Sequence, residues 1–195
     1  MNASLLSILC LSLLLVACGG EEGGTTVWTP VTEDALDPAQ KSQRASAFRA
    51  KDAMFAELSG ALMGAIETDG PSAAINVCRC EAPQVAKRIS KQHGVEIGRT
   101  SFRLRNAKNT PPAWARALVD AEVGENAYAS GSDGRLGVLL PIRLQNPCLT
   151  CHGDAAAIAE DVRAEIERWY PDDEAMGFKQ GDLCGYFWIE VPAAE

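Results

Sequence analysis

The apolar positions of the chain change period several times along its length. Residues Leu5 to Ala17 are almost uninterruptedly apolar, a run too short to span a bilayer as a helix. Residues 18–36 are rich in Gly, Glu, Thr and Pro and read as a flexible linker. Asp37 followed by Pro38 combines an N-cap acceptor with the residue tolerated at the first helical position, so a long helix is expected from there to about Glu67. Phe48, Phe55, Leu58, Leu62 and Ala65 form its apolar stripe, with the polar first turns expected to project from the core.

Gly70 and Pro71 end that helix and open a second, expected to run to about His93 with Gly94 as its C-cap. Ile75, Cys78, Ala82, Val85 and Ile89 share one face of it. Cys80 lies about 200° around the helix from Cys78 and cannot share its surroundings. Pro83 removes the bond its N–H would make to the carbonyl of Arg79, which predicts a bend beside Cys78.

Beyond Gly94 the period becomes two. A strand is expected with Thr100, Phe102 and Leu104 on one side and Arg99, Ser101, Arg103 and Arg105 on the other. A turn-rich stretch, 106–112, leads to a short helical segment at 114–122. Strands follow at 127–131 and 137–144 around a turn at Ser132, Asp133 and Gly134, then a helix over 155–170 and a last strand over 185–191. Helices in front and a meander of strands behind predict an α+β domain with an antiparallel sheet.

The 195 residues allow one folded domain, placed at 37–192. A formal charge of −8, from 18 basic and 26 acidic residues, excludes a protein that works by neutralising phosphates, so nucleic acid is not an expected partner. The apolar run at the front ends in Leu15, Val16, Ala17, Cys18 and Gly19, the form of a lipoprotein signal peptide over residues 1–17 with Cys18 as the lipid-bearing residue. Met1 to Ser4 depart from that form in carrying no Lys or Arg. The expected location is the bacterial cell envelope, lipid-anchored and facing the periplasm, at the outer membrane where one exists.

That compartment frames the chemistry of Cys148, Leu149, Thr150, Cys151 and His152. The spacing CxxCH puts two thiols on one short turn, where each forms a thioether with a haem vinyl group, with the adjacent imidazole ready to bind iron. One covalent haem c is expected. A zinc site formed by Cys78, Cys80, Cys148 and Cys151 is the alternative, opposed by the CxC pair on a helix, which points its thiols apart. A redox dithiol at Cys148 and Cys151 leaves His152 without a role. For the iron ligand opposite His152 the candidates are Cys78, His93 and the methionines. Cys78 is preferred for its place on the apolar face beside the bend, since His93 complements a helix end and methionines commonly fill cores. Arg99, Arg103 and Arg105 suit bidentate contact with haem propionates, or form a solvated strand face.

Several motifs together resemble the single-haem c-type family with a PAS-like fold. They are Ile75 to Cys78, Ala82 with Pro83, GRTS at Gly98 to Ser101, and Arg105, Asn106, Asn109, Pro111 and Trp114. CLTCHG, Tyr170 with Pro171, and Gly177, Gly181 and Asp182 complete the set. The resemblance covers about residues 45 to 191. It implies a PAS-like antiparallel sheet flanked by helices and preceded by a long N-terminal helix. It also implies a covalent haem at Cys148 and Cys151, His152 and Cys78 as axial ligands, and membership of a group found as exported proteins or as sensory regions of signalling proteins. Cys80, Cys184 and Ala115 depart from the family pattern. With Cys78 on iron, a disulfide between Cys80 and Cys184 is expected, the pairing of Cys78 with Cys184 remaining open.

With both axial positions filled by protein, the expected role is electron transfer or redox sensing rather than catalysis. With no room for a signalling module after Glu195, a sensor of this kind is expected to act through a separate redox or signalling partner protein. The alternative from another class is a gas or small-ligand sensor in which a weak axial ligand is displaced.

Overall fold

The computed structural model describes residues 25–193. The expected signal peptide and Cys18 lie outside the described residues. Among the described residues no helix is long and apolar enough to cross a membrane.

Five antiparallel strands form one sheet in the order β1-β3-β4-β5-β2. They are β1 (Trp28–Val31), β2 (Glu96–Thr100), β3 (Ala127–Gly131), β4 (Leu136–Arg143) and β5 (Leu183–Val191). Strand β1 falls inside the stretch expected to be linker. It pairs with β3 from Trp28 opposite Gly131 to Val31 opposite Tyr128, Trp28 stacks on Trp114 at 5.6 Å, and Leu36 is buried. The domain therefore begins some ten residues earlier than residue 37, because a short edge strand needs only alternate anchoring side chains to be held.

Helix α1 (Pro38–Asp69) starts where expected. The Asp37 carboxylate accepts the Gln40 N–H at 2.8 Å while the Gln40 side chain accepts the Asp37 N–H at 3.1 Å, a reciprocal cap. Its burial differs from the expected stripe. The first half is the better buried, through Gln43, Ala47, Ala50 and Met54, whereas Phe55 remains 44 % exposed. Small alanines let the helix lie close on the sheet, and Gln43 satisfies its amide on the carbonyls of Gly134 and Pro192. The second half leaves the sheet and presents Phe55, Leu58, Leu62 and Ile66 to a cleft.

The second helix is three pieces: α2 (Ala73–Asn76), a π-turn over Val77–Glu81, and α3 (Ala82–His93) closed by Gly94 in the left-handed conformation. Pro83, expected to bend the helix, lies just past the π-turn. There the Ala82 N–H donates five residues back to Val77, a wider turn that absorbs the bond Pro83 cannot make.

One face of the sheet packs on α1 and α3. Leu136, Val138 and Ile189 are fully buried there against Met54, Val85 and Ile89. The other face carries Leu139, Tyr186, Trp114 and Trp188 beneath α4 (Arg116–Asp120). The remaining helices are α5 (Leu149–His152) and α6 (Glu160–Trp169). Strand β2 stops at Thr100 and does not reach Arg105 as expected. The Ser101 hydroxyl donates to the Cys184 carbonyl at 2.9 Å and accepts the Arg103 N–H at 3.0 Å, which turns the chain out of the ladder. Gly185 permits the close approach, since a Cβ there would lie 2.5 Å from the Thr100 carbonyl oxygen.

Candidate functional site

A cleft of about 1420 Å³, counting solvent at its mouth, lies between the outer half of α1, the π-turn, the end of β2 and α5. Cys78, Cys148, Cys151, His152 and Cys184 all line it. The three haem-motif residues arrive together because Pro147 starts a single 3-10 turn over Asn146–Cys148 that runs on into α5. Cys78 comes from the π-turn and Cys184 from β5.

His152 is held on both sides. Its Nδ1 lies 2.7 Å from the carbonyl oxygen of Ala175; a carbonyl only accepts, so Nδ1 carries the hydrogen and Nε2 keeps its lone pair. Burial pushes the imidazole pKa down to about 4, with the nearby Arg105 cation acting in the same direction, so the ring is neutral at physiological pH. A neutral, Nδ1-protonated imidazole is the form that binds a metal through Nε2. Burial also raises the thiols of Cys151 and Cys184 to about 11, far from the low values of reactive redox dithiols.

The three arginines all reach the cleft and separate in role. Arg103 is spent on protein: its guanidinium donates to the carbonyls of Glu174 and Met176 and stacks 4.3 Å above the Phe178 ring. Arg105 forms a buried ion pair with Asp173 at 3.0 Å and donates to the Cys151 carbonyl at 2.6 Å, yet its Nη1 is buried without a partner. Arg99 makes no hydrogen bond or ion pair among the described residues. The expectation of one basic strand face is thus corrected: β2 ends at Thr100, so Arg99 lies on the strand while Arg103 and Arg105 lie beyond it.

The lining also suits a flat, largely apolar dianion. It contains no Asp or Glu in a chain of net charge −8. Three guanidiniums against the single carboxylate of Asp173 leave the cleft net positive, the sign that suits a ligand bearing carboxylates. The unpartnered buried donors Arg105 Nη1 and Thr100 Oγ1 belong to residues that line the same space. The residues present fit a haem.

Cys80 stands apart. It does not line the cleft, and its thiol lies 3.4 Å from the Asn76 side-chain oxygen. The four-cysteine zinc arrangement is therefore not assembled, and among the described residues no group of three or more His, Cys, Asp or Glu side chains is placed to hold a metal ion. Cys78, Cys80, Cys148, Cys151 and Cys184 are all free thiols in the structure, so neither of the two disulfides considered from the sequence is formed. His93 does not line the cleft, Met54 fills the core and Met63 is exposed. Asp173 and the Ala175 carbonyl went unnoticed in the sequence. An aspartate in a Pro-Asp-Asp turn carries no signal of its own, and a backbone carbonyl acceptor is invisible without the fold.

A family model described as Tll0287-like matches residues 29–192. A crystal structure described as that of the cyanobacterial heme-protein Tll0287 superposes with a TM-score of 0.55 at 24 % identity, covering 82 % of this chain and 99 % of that one. The likeness establishes the PAS-like α+β fold expected from the sequence. No curated protein matches the chain.

Proposed function

The chain belongs to the Tll0287-like family, and from that premise we propose that it is an exported, lipid-anchored c-type haem protein acting in electron transfer or redox sensing. The observation that carries the proposal is the cleft itself, where Cys148, Cys151 and His152 face an apolar space edged by three arginines and no lining carboxylate. A haem c bound there supplies one-electron chemistry at its iron. Cys148 and Cys151 would form the thioether links, and His152, through Nε2, and Cys78 would hold the iron. Arg99, whose guanidinium is uncommitted, pairs with a propionate. Cys18 carries the lipid anchor, and a separate envelope protein exchanges electrons or receives the signal.

The test is the alkaline pyridine haemochrome spectrum of protein matured with the c-type assembly machinery, after acidified acetone has removed loose haem. A retained c-type spectrum is expected; a colourless protein overturns the proposal. A second reading, a small-ligand sensor, is favoured by the place of Cys78 on a π-turn, backbone that is less regular than the helices beside it. Carbon monoxide added to the reduced protein shifts the Soret band if Cys78 yields its position and leaves it unchanged in the carrier reading.

A further inference from the structure

We propose that Arg105 is a positioning residue for His152, setting through hydrogen bonds both where the imidazole sits and how strongly its Nδ1–H is held. The redox consequence rests on the haem reading above; the geometry stands without it.

Residues 173–178 cross the haem motif as a strap. The Gly177 N–H donates to the Gly153 carbonyl at 2.7 Å, the Phe178 N–H to the His152 carbonyl at 3.0 Å, and the Ala175 carbonyl receives the imidazole. The strap belongs to no regular element, so side chains must fix it. Arg103 clamps its middle, and the Glu174 N–H donates to the Leu104 carbonyl at 3.0 Å. Arg105 ties strap and motif together. Its Nη2 lies 2.6 Å from the Cys151 carbonyl, 3.0 Å from the Asp173 carboxylate and 3.3 Å from the Ala175 carbonyl. Asp173 closes the ring by accepting the Ala175 N–H at 2.9 Å.

One carbonyl, that of Ala175, thus serves two donors, His152 and Arg105. A cationic donor on one lone pair draws electron density from the other, which weakens the pull on Nδ1–H. A less strongly held Nδ1–H leaves Nε2 a weaker electron donor to iron, and the ligand's own partners are what tune a metal centre. The buried positive charge acts in the same sense, favouring the reduced state.

Arg105→Lys tests this, because an ammonium keeps the charge and the partner at Asp173 but cannot reproduce the planar fork across three acceptors. In the haem-free full chain, 15N NMR of His152 is expected to report a single Nδ1-protonated tautomer in the wild type and a mixture in Arg105→Lys. In the haem-loaded protein the variant's midpoint potential and its ferric EPR g-values both shift from those of the wild type. The pair Arg105→Gln with Asp173→Asn, which leaves no lone buried charge, is expected to lose the single tautomer as well. Arg99→Gln, which removes a positive charge from the cleft without touching the strap, is expected to lower the potential with the tautomer unchanged. A single tautomer in both Arg105 variants reduces Arg105 to an ordinary ion pair and overturns the proposal. A wild-type chain that takes up no covalent haem defeats the haem reading, while the tautomer measurement still decides the role of Arg105.

Discussion

The sheet and the cleft are built on opposite terms. In the sheet, Leu136, Val138, Leu139 and Ile189 are wholly buried, backbone groups pair with one another along the ladders, and stability comes from close packing of apolar side chains. Around the cleft the backbone is irregular. The π-turn keeps backbone bonds of a wider period, and the turn at 101–105 and the strap at 173–178 are tied through Ser101, Arg103, Arg105 and Asp173. A regular scaffold leaves no backbone donor or acceptor free to aim at a ligand, so the site occupies the places where regularity stops.

The largest effect that separates the two regions is all-or-none. Replacing Cys148 and Cys151 together by Ser is expected to abolish haem retained on a denaturing gel while the sheet still folds, as haem staining and circular dichroism check. The polar region is next: Asp173→Ala strands the buried Arg105 charge and is expected to cost about 3–5 kcal/mol in urea unfolding. A cost below about 1 kcal/mol shows that the cleft does not depend on its polar ties as the comparison requires. In the sheet, Leu139→Ala leaves a cavity in a fully buried site and is expected to cost about 2–5 kcal/mol, with the haem spectrum unchanged. Gly98→Ala places a Cβ 2.5 Å from the Trp188 ring and is expected to cost about 1–3 kcal/mol as the ring is displaced from the outer face.

The smallest expected effect is electrostatic and lies at the β3–β4 turn, remote from the cleft. The Thr26 hydroxyl, then Arg135, holds the Asp133 carboxyl down from 3.8 to about 2. A carboxyl lowered on folding adds stability above its unfolded value and loses it as pH falls through the folded one. Wild type and Asp133→Asn therefore differ in melting temperature at neutral pH and converge between about pH 4 and about pH 2. A difference that persists at pH 2 shows that the turn is held by something other than this charge.

Much of this architecture was legible in the chain. Asp37-Pro38 marked the start of α1, Gly94 marked the end of α3, and short runs bounded by turn residues marked β3, β4 and β5 to within two residues, because caps and turn signals are local. The errors share a cause. Strand β2 is shorter than its sequence pattern suggests because Ser101 finds its partner on β5, 83 residues away, and α6 starts later because Asp154 turns the chain with its own side chain, accepting the Ala156 N–H. Strand β1 was taken for linker because its support comes from β3 and Trp114, a hundred and 86 residues further on respectively.

The same division holds for the site. Cys148, Cys151 and His152 form a motif by spacing alone, since a short turn suffices to bring five consecutive residues together, and Cys78 stood out by its place on one helical face. The exclusion of Cys80 already follows from its place about 200° around the helix from Cys78, but tertiary structure alone decided that Cys184 joins them. It also divided three similar arginines among a clamp, a tie and an uncommitted cation. Covalent neighbours are constrained by the chain itself, but residues 46 to 83 positions apart meet only when the sheet and its packed helices have set the distances between them.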